Sequence, residues 1–173
     1  CALPICEMTR RSIAALAASA LVGLAAPALA QGTLKMVPHA DLKVVDPIFT
    51  TAQITIDHAM MIYDQLFAWD DKLVPKPQMV ENWAAAADKL SYTFVLRPGL
   101  RFHDGTPVTA KDAVASILRW SKRDPMGQKM AEFTASWSVV DERSFVLRLK
   151  EPFGMVLDTL ASTAGNMPVE IGR

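Results

Sequence analysis

One stretch, "LSYTFVLRPGLRFHDGTPVTAKDAVASILRW" (90–120), limits the folds open to this chain more than any other. Its first part alternates. Tyr92, Phe94 and Leu96 fall on one face and Thr93, Val95 and Arg97 on the other, the period of a half-buried strand. "RPG" and "HDG" then turn the chain twice, with glycine supplying the backbone freedom such turns require. Thr109 stands where a helix N-cap is wanted, and Asp112 three residues on offers a capping-box partner, weaker than glutamate. The helix over "AKDAVASILRWSKR" is predicted to bury Val114, Ile117, Leu118 and Ser121, and Asp124-Pro125 to stop it.

The flanking segments fit the same plan. "TLKMVPHADL" (33–42) has strand character as far as Pro38, and "DPIFTTAQIT" (46–55) reads as a loop too polar to build core. From Ile54 the spacing of Ile62, Leu66 and Trp69, with Ala59, Tyr63 and Phe67 beside them, predicts a helix, with Asp70-Asp71 at its end or in the turn after it. A short helix or turn is expected around Trp83. Residues 136–150 read as a hairpin whose second strand alternates Phe145, Leu147 and Leu149 with Val146, Arg148 and Lys150. "EPFGMVLDTLAS" opens a further helix. The fold class is therefore mixed α/β with neighbouring strands in hairpins.

The first thirty residues stand apart from this pattern. After Met8, Arg10 and Arg11 precede a small-residue apolar run, and "PALA" ends in the A-x-A pattern of a signal-peptidase site. Residues 8–30 are read as a signal peptide cleaved between Ala30 and Gln31. A spanning helix is the weaker reading, because the run is short, Ala-rich and closed by a proline. The removed part carries Glu7, Arg10 and Arg11, so the balance of 18 basic and 18 acidic residues shifts to a net charge of −1. Such a balance gives no support for nucleic acid or an anionic membrane as partner. Cys1 and Cys6 both precede Met8, so residues 31–173 hold no disulfide and no thiol nucleophile. Residues 1–7 resemble no signal n-region. "ALPI" and "EIGR" can be encoded by reverse-complementary strings, so residues 1–7 and 170–173 are expected to be non-native, leaving 31–169 as the native remainder.

His103-Asp104 is the most tempting pair for catalysis. Acid–base work needs two groups converging on one substrate, whereas adjacent residues on an extended segment point to opposite sides. An aspartate bonding the backbone two residues on, followed by a glycine, explains "HDG" as a turn without any substrate. His39 and His58 are the only other histidines, and no two of the three have helical metal-site spacing. Neither a G-x-S-x-G elbow, a phosphate-cradling loop nor a dinucleotide fingerprint occurs. Met60 and Met61 are read as core filling, and Arg97, Arg101, Arg119, Lys122 and Arg123 as solvated. Trp83 and Trp120 are read as core or rim, while Trp69 or Trp137 could stack on a ligand if not buried. No metal, cofactor or catalytic residue is assigned. An exported α/β chain of this kind points towards binding, with an exported hydrolase or metal enzyme using His103 and Asp104 as the rival.

"YDQLFAWDDKLVPKPQMVENWAAAADKLSYTFVLRPGLRFHDGTPVTAKDAVASILRW" (63–120) closely resembles the family 5 solute-binding proteins of ABC importers, the dipeptide, oligopeptide and nickel group. Tyr63, Leu66, Pro77, Trp83, Tyr92 to Arg97, Phe102 to Pro107, Ala110, Asp112, Ser116 and Arg119 match its pattern in order. The match extends upstream through Asp46-Pro47 and downstream to "LKEPFG" (149–154).

The resemblance implies a two-lobed fold of the type II periplasmic-binding-protein kind, of which this sequence holds the N-terminal part of the first lobe and its insertion. It implies a monomer in the periplasm that captures a peptide or other small solute and hands it to an inner-membrane ABC permease. A sensor that passes its ligand signal to a membrane receptor is a third reading. The HDG turn would be scaffold remote from the ligand. The loop after the first strand would border the ligand cleft, which carries that role onto Thr50, Thr51, Ala52 and Gln53. Backbone pairing along an extended segment there would suit peptides of varied sequence. The acidic residue that anchors a peptide's amino group, and the second lobe, lie downstream in the family, so specificity is not readable here.

Overall fold

The computed structural model describes residues 35–163. Residues 8–30, read as a signal peptide, the expected Ala30–Gln31 cleavage point and segments 1–7 and 170–173 lie outside the described residues. The chain divides into two units, Cys1–Val37 and Pro38–Arg173, and the elements below belong to the second.

They run in the order α1 (Gln53–Ile62), β1 (Phe67–Trp69), β2 (Pro75–Pro77), β3 (Val80–Ala85), β4 (Ser91–Leu96), α2 (Ala110–Trp120), α3 (Pro125–Phe133), β5 (Thr134–Val139), β6 (Ser144–Leu149) and α4 (Val156–Leu160). Strands β1 and β2 form a small antiparallel ribbon, while the other four make one antiparallel sheet in the order β3-β4-β6-β5. Both inner strands are those whose alternation is plainest in the sequence. Phe94 pairs with Phe145 and Tyr92 with Leu147, and the two phenylalanine rings stack 5.2 Å apart. Such aromatic pairs are the unit of sheet stabilisation, worth about 0.5–1.5 kcal/mol beyond burial. Phe67 of β1 meets Phe94 edge-on at 5.9 Å, tying the small ribbon to the face of the large sheet.

Strands β4 and β5 are not neighbours, because β6 returns between them after the two intervening helices. Helix α2 lies against β5 and β6, and the N–H of Ala110 donates to the Glu142 carbonyl at 2.8 Å, which pins the helix start to the β5–β6 turn. Its Thr109–Asp112 capping box forms as predicted, with the Thr109 N–H donating to Asp112 Oδ2 at 3.0 Å. The buried residues are Ala110, Ala113, Val114, Ile117 and Trp120, whereas Leu118 is 45% exposed and Ser121 only half-buried. The predicted face was thus rotated: the bulk of Trp120, fully enclosed, sets which stripe turns inward.

Four other expectations are corrected. Helix α1 stops at Ile62, since Tyr63 is extended, and Leu66, just before β1, and Phe67, its first residue, enter the core instead. The Trp83 segment is strand β3, because cross-strand pairing of Trp83 with Phe94 overrides the helix preference of its alanines. Residues 35–42 form no strand, having no ladder partner among the described residues. Asp124-Pro125 does stop α2 but also starts α3. The Asp124 carboxylate accepts from the N–H of Met126 (2.8 Å) and Gly127 (2.9 Å), with proline at the first helical position. A side chain at Gly127 would come within 2.8 Å of the Ser121 backbone and 3.1 Å of the Trp120 ring, so glycine permits this close approach of α3 to α2. Helix α4 closes over β1 and α3.

Candidate functional site

His103 and Asp104 lie on an exposed turn. Asp104 Oδ1 accepts from the Thr106 N–H at 2.9 Å and from its hydroxyl at 2.6 Å. Gly105 takes a left-handed φ of 86°, its N–H donates to the Phe102 carbonyl, and the Arg101 guanidinium donates to its carbonyl at 2.7 Å. The carboxylate thus organises its own turn, and these bonds do not bring His103 and Asp104 together on a substrate. Among the described residues no three His, Cys, Asp or Glu side chains are placed to hold a metal ion. His39 is exposed. His58 lies on α1, with Nδ1 enclosed and without a hydrogen-bond partner among the described residues.

The loop that carries Thr50 to Gln53 is built from Asp46 upward. Asp46 Oδ1 accepts from the Ile48 N–H at 2.9 Å, the Asp46 carbonyl accepts from Phe49 N–H at 3.1 Å, and the carboxylate pairs with the Arg119 guanidinium of α2. Burial alone would raise the Asp46 carboxyl. The hydrogen bond from Arg119, the Ile48 and Phe49 N–H groups and the Arg119 charge outweigh it, and hold the group below the usual carboxylate range. Two neighbouring contacts repeat the tether. Arg123 lies over the Phe49 ring at 4.9 Å, and Ile48 is 1% exposed, a core residue in a segment predicted to contribute none.

From that anchor the loop runs into α1. Thr50 Oγ1 accepts from the Ala52 N–H at 3.2 Å, and the Ala52 carbonyl accepts from the N–H of Thr55 and Ile56. Gln53 is the first helical residue, and its Nε2 donates to Asp57 at 2.6 Å. Ala52 therefore uses its backbone internally, while Thr50 and Thr51 make no backbone hydrogen bond among the described residues. Thr50 and Ala52 line an open groove of about 330 Å³ together with Ala40, Asp41, Lys43 and Thr55. Thr51 and Gln53 are exposed beside it without lining it. The groove brings in Asp41 and Lys43, which sequence reasoning did not single out. The Thr55 hydroxyl, bonded to the Val44 carbonyl at 2.6 Å, closes its floor.

The tryptophans separate by context. Trp120 is core, Trp137 stacks against Phe94 at 6.3 Å, and Trp83 meets Phe67 edge-on while remaining partly exposed. Met60 and Met61, expected in the core, are 53% and 62% exposed, because the buried stripe of α1 runs through Thr55, Ile56 and Ala59.

The described residues form a mixed α/β scaffold with an open groove beside the Thr50 loop. Residues 74–171 match the family model of bacterial extracellular solute-binding proteins, family 5 Middle, more than half of the chain, and the chain belongs to that family. It is 46% identical over 148 residues to the "Probable peptide ABC transporter periplasmic-binding protein y4tO" of Sinorhizobium fredii, a match that covers 86% of this chain and 28% of the relative. The chain thus spans little more than a quarter of the length of that relative. Two solved structures share the fold. DppA of Helicobacter pylori in complex with the peptide STSA superposes with a TM-score of 0.62 at 21% identity, covering 78% of this chain and 30% of that one. NikA of Brucella suis in complex with Fe(III)-EDTA gives 0.58 at 24% identity, covering 68% and 24%. The family is one of binding proteins and not of enzymes.

Proposed function

We propose that this chain is the N-terminal part of the exported substrate-binding component of an ABC importer, working in the periplasm as a monomer without cofactor. It captures di- or oligopeptides, or a related small solute, and delivers them to an inner-membrane permease. The observation that carries this reading is the 46% identity to a peptide ABC transporter periplasmic-binding protein along 86% of the chain. The loop at Thr50, Thr51, Ala52 and Gln53 borders the ligand, with the free backbone of Thr50 and Thr51 available to pair with an extended peptide. Residues 8–30 direct export and are removed between Ala30 and Gln31.

The test begins with the reading frame in the source DNA. It is expected to continue for several hundred codons beside permease and ATPase genes, and its mature product to bind di- and oligopeptides in calorimetry. A stop codon directly after Arg173, or a full-length product that binds no peptide while binding another solute class, would overturn the peptide assignment.

A further inference from the structure

A second groove, of about 280 Å³, opens at the other end of α1 from the Thr50 loop. Met60, Tyr63, Gln65, Trp69, Gln78 and Thr163 line it. The helix between the two grooves has ten residues, so they stand about 15 Å apart along its axis.

Its floor is rigid. Gln65 is 5% exposed; its N–H donates to Gln78 Oε1 at 3.1 Å, its carbonyl accepts from Met79 N–H at 3.1 Å, and its Nε2 donates to the Ser162 carbonyl at 3.2 Å. Gln78 is locked in turn, since its Nε2 donates to Asp64 at 2.7 Å. Among the described residues, nothing donates to Gln65 Oε1, and the Trp69 indole N–H, the Tyr63 hydroxyl and the Thr163 hydroxyl have no partner. Among the described residues the lining therefore offers one nearly buried acceptor, three donors and the apolar surfaces of Trp69, Tyr63 and Met60, with no charged side chain.

We propose that this groove is a binding site for an uncharged peptide unit: a secondary amide whose N–H meets Gln65 Oε1, whose carbonyl accepts from Trp69 or Tyr63, and whose flanking small side chains lie on the aromatic surfaces. This deepens the peptide reading and rests on it. A free amino or carboxyl terminus would be desolvated here without a counter-charge, which is costly, so the groove selects the interior of a peptide and not its ends. Its size suits one such unit and not a whole oligopeptide.

The experiment is calorimetry on the mature product of the complete reading frame, with N-acetyl-dialanine amide as the blocked probe and free trialanine as the comparison. The blocked probe is expected to bind, with affinity insensitive to salt, and to weaken on the order of five-fold in Trp69→Leu and in Gln65→Met. Trp69 is at the surface, so its replacement tests the groove even if the Gln65 variant does not fold. Binding of trialanine without the blocked probe would overturn the groove and leave the importer reading standing. Blocked-probe binding that Trp69→Leu leaves unchanged would place the contact elsewhere and overturn it as well. Binding of neither would overturn the groove, and would overturn the peptide reading too if other di- and oligopeptides also fail to bind.

Discussion

Asp46 and Asp104 are both turn-forming aspartates, yet they differ in what a substitution should do. Asp46 ties a loop to α2 through Arg119. Its carboxyl is held low in the folded chain, so the stability it contributes is present above the ordinary carboxylate value and is lost as pH falls through the folded value. We expect Asp46→Asn to be less stable than the parent at neutral pH, and the gap to close as the solution is acidified below about pH 4. Urea titrations across pH read this directly; a gap that persists in acid would mean that packing, not charge, sets the loss. The effect should be modest, because the Arg119 side chain is half exposed and solvent screens the pair. The bonds from Thr106 to Asp104 stay within one turn. Asp104→Ala should cost about 1 kcal/mol, whereas His103→Ala should change stability by less than about 0.5 kcal/mol and leave ligand binding intact. Loss of binding in the histidine variant would reopen the catalytic or metal role. The turn chemistry was legible because it is local: an aspartate, a glycine and the N–H two residues on suffice to specify it.

Helices and strands were legible in proportion to how much of their stabilisation is local. The capping box of α2 and the alternation of β4 and β6 appear as read, since capping groups and period-two faces are written within a few residues. Helix α3 was missed, although Asp124-Pro125 is as much a start signal as a stop, with aspartate at the N-cap and proline at the first turn. Asp124 is 3% exposed, so Asp124→Ala should cost about 1–2 kcal/mol in thermal or urea melts. Gly127→Ala should cost about 1–3 kcal/mol by forcing α3 away from Ser121 and Trp120. A neutral result there would mean that the two helices separate freely. Strand β3 ran against propensity: its alanines favour helix, and only the partner strand β4 makes it extended.

At the scale of the molecule, the sheet ends among the described residues in two edge strands, β3 and β5, and Met60, Met61, Leu73, Val74 and Trp83 are exposed. Exposed apolar side chains beside open strand edges favour association between chains. We expect residues 31–169 expressed alone to fold marginally and to aggregate on heating. A cooperative, fully reversible melt followed by circular dichroism would contradict this. The family assignment was readable at this scale because its ordered matches span the chain, whereas the two grooves were not, because each gathers residues from separate elements.

By itself, the sequence determined what depends on neighbours along the chain: the inward faces of β4 and β6, the HDG and RPG turns, the Thr109–Asp112 cap, and the family that this order of motifs marks. Tertiary structure alone decided what depends on distant partners. The return of β6 between β4 and β5, the end of α1 at Ile62, the inward rotation of Trp120 in place of Leu118, and the gathering of Tyr63, Gln65, Trp69 and Thr163 around one groove belong to that class. The physical reason is that periodicity records which side of an element is apolar, while the burial of that side is settled by surfaces remote in sequence that compete to cover it.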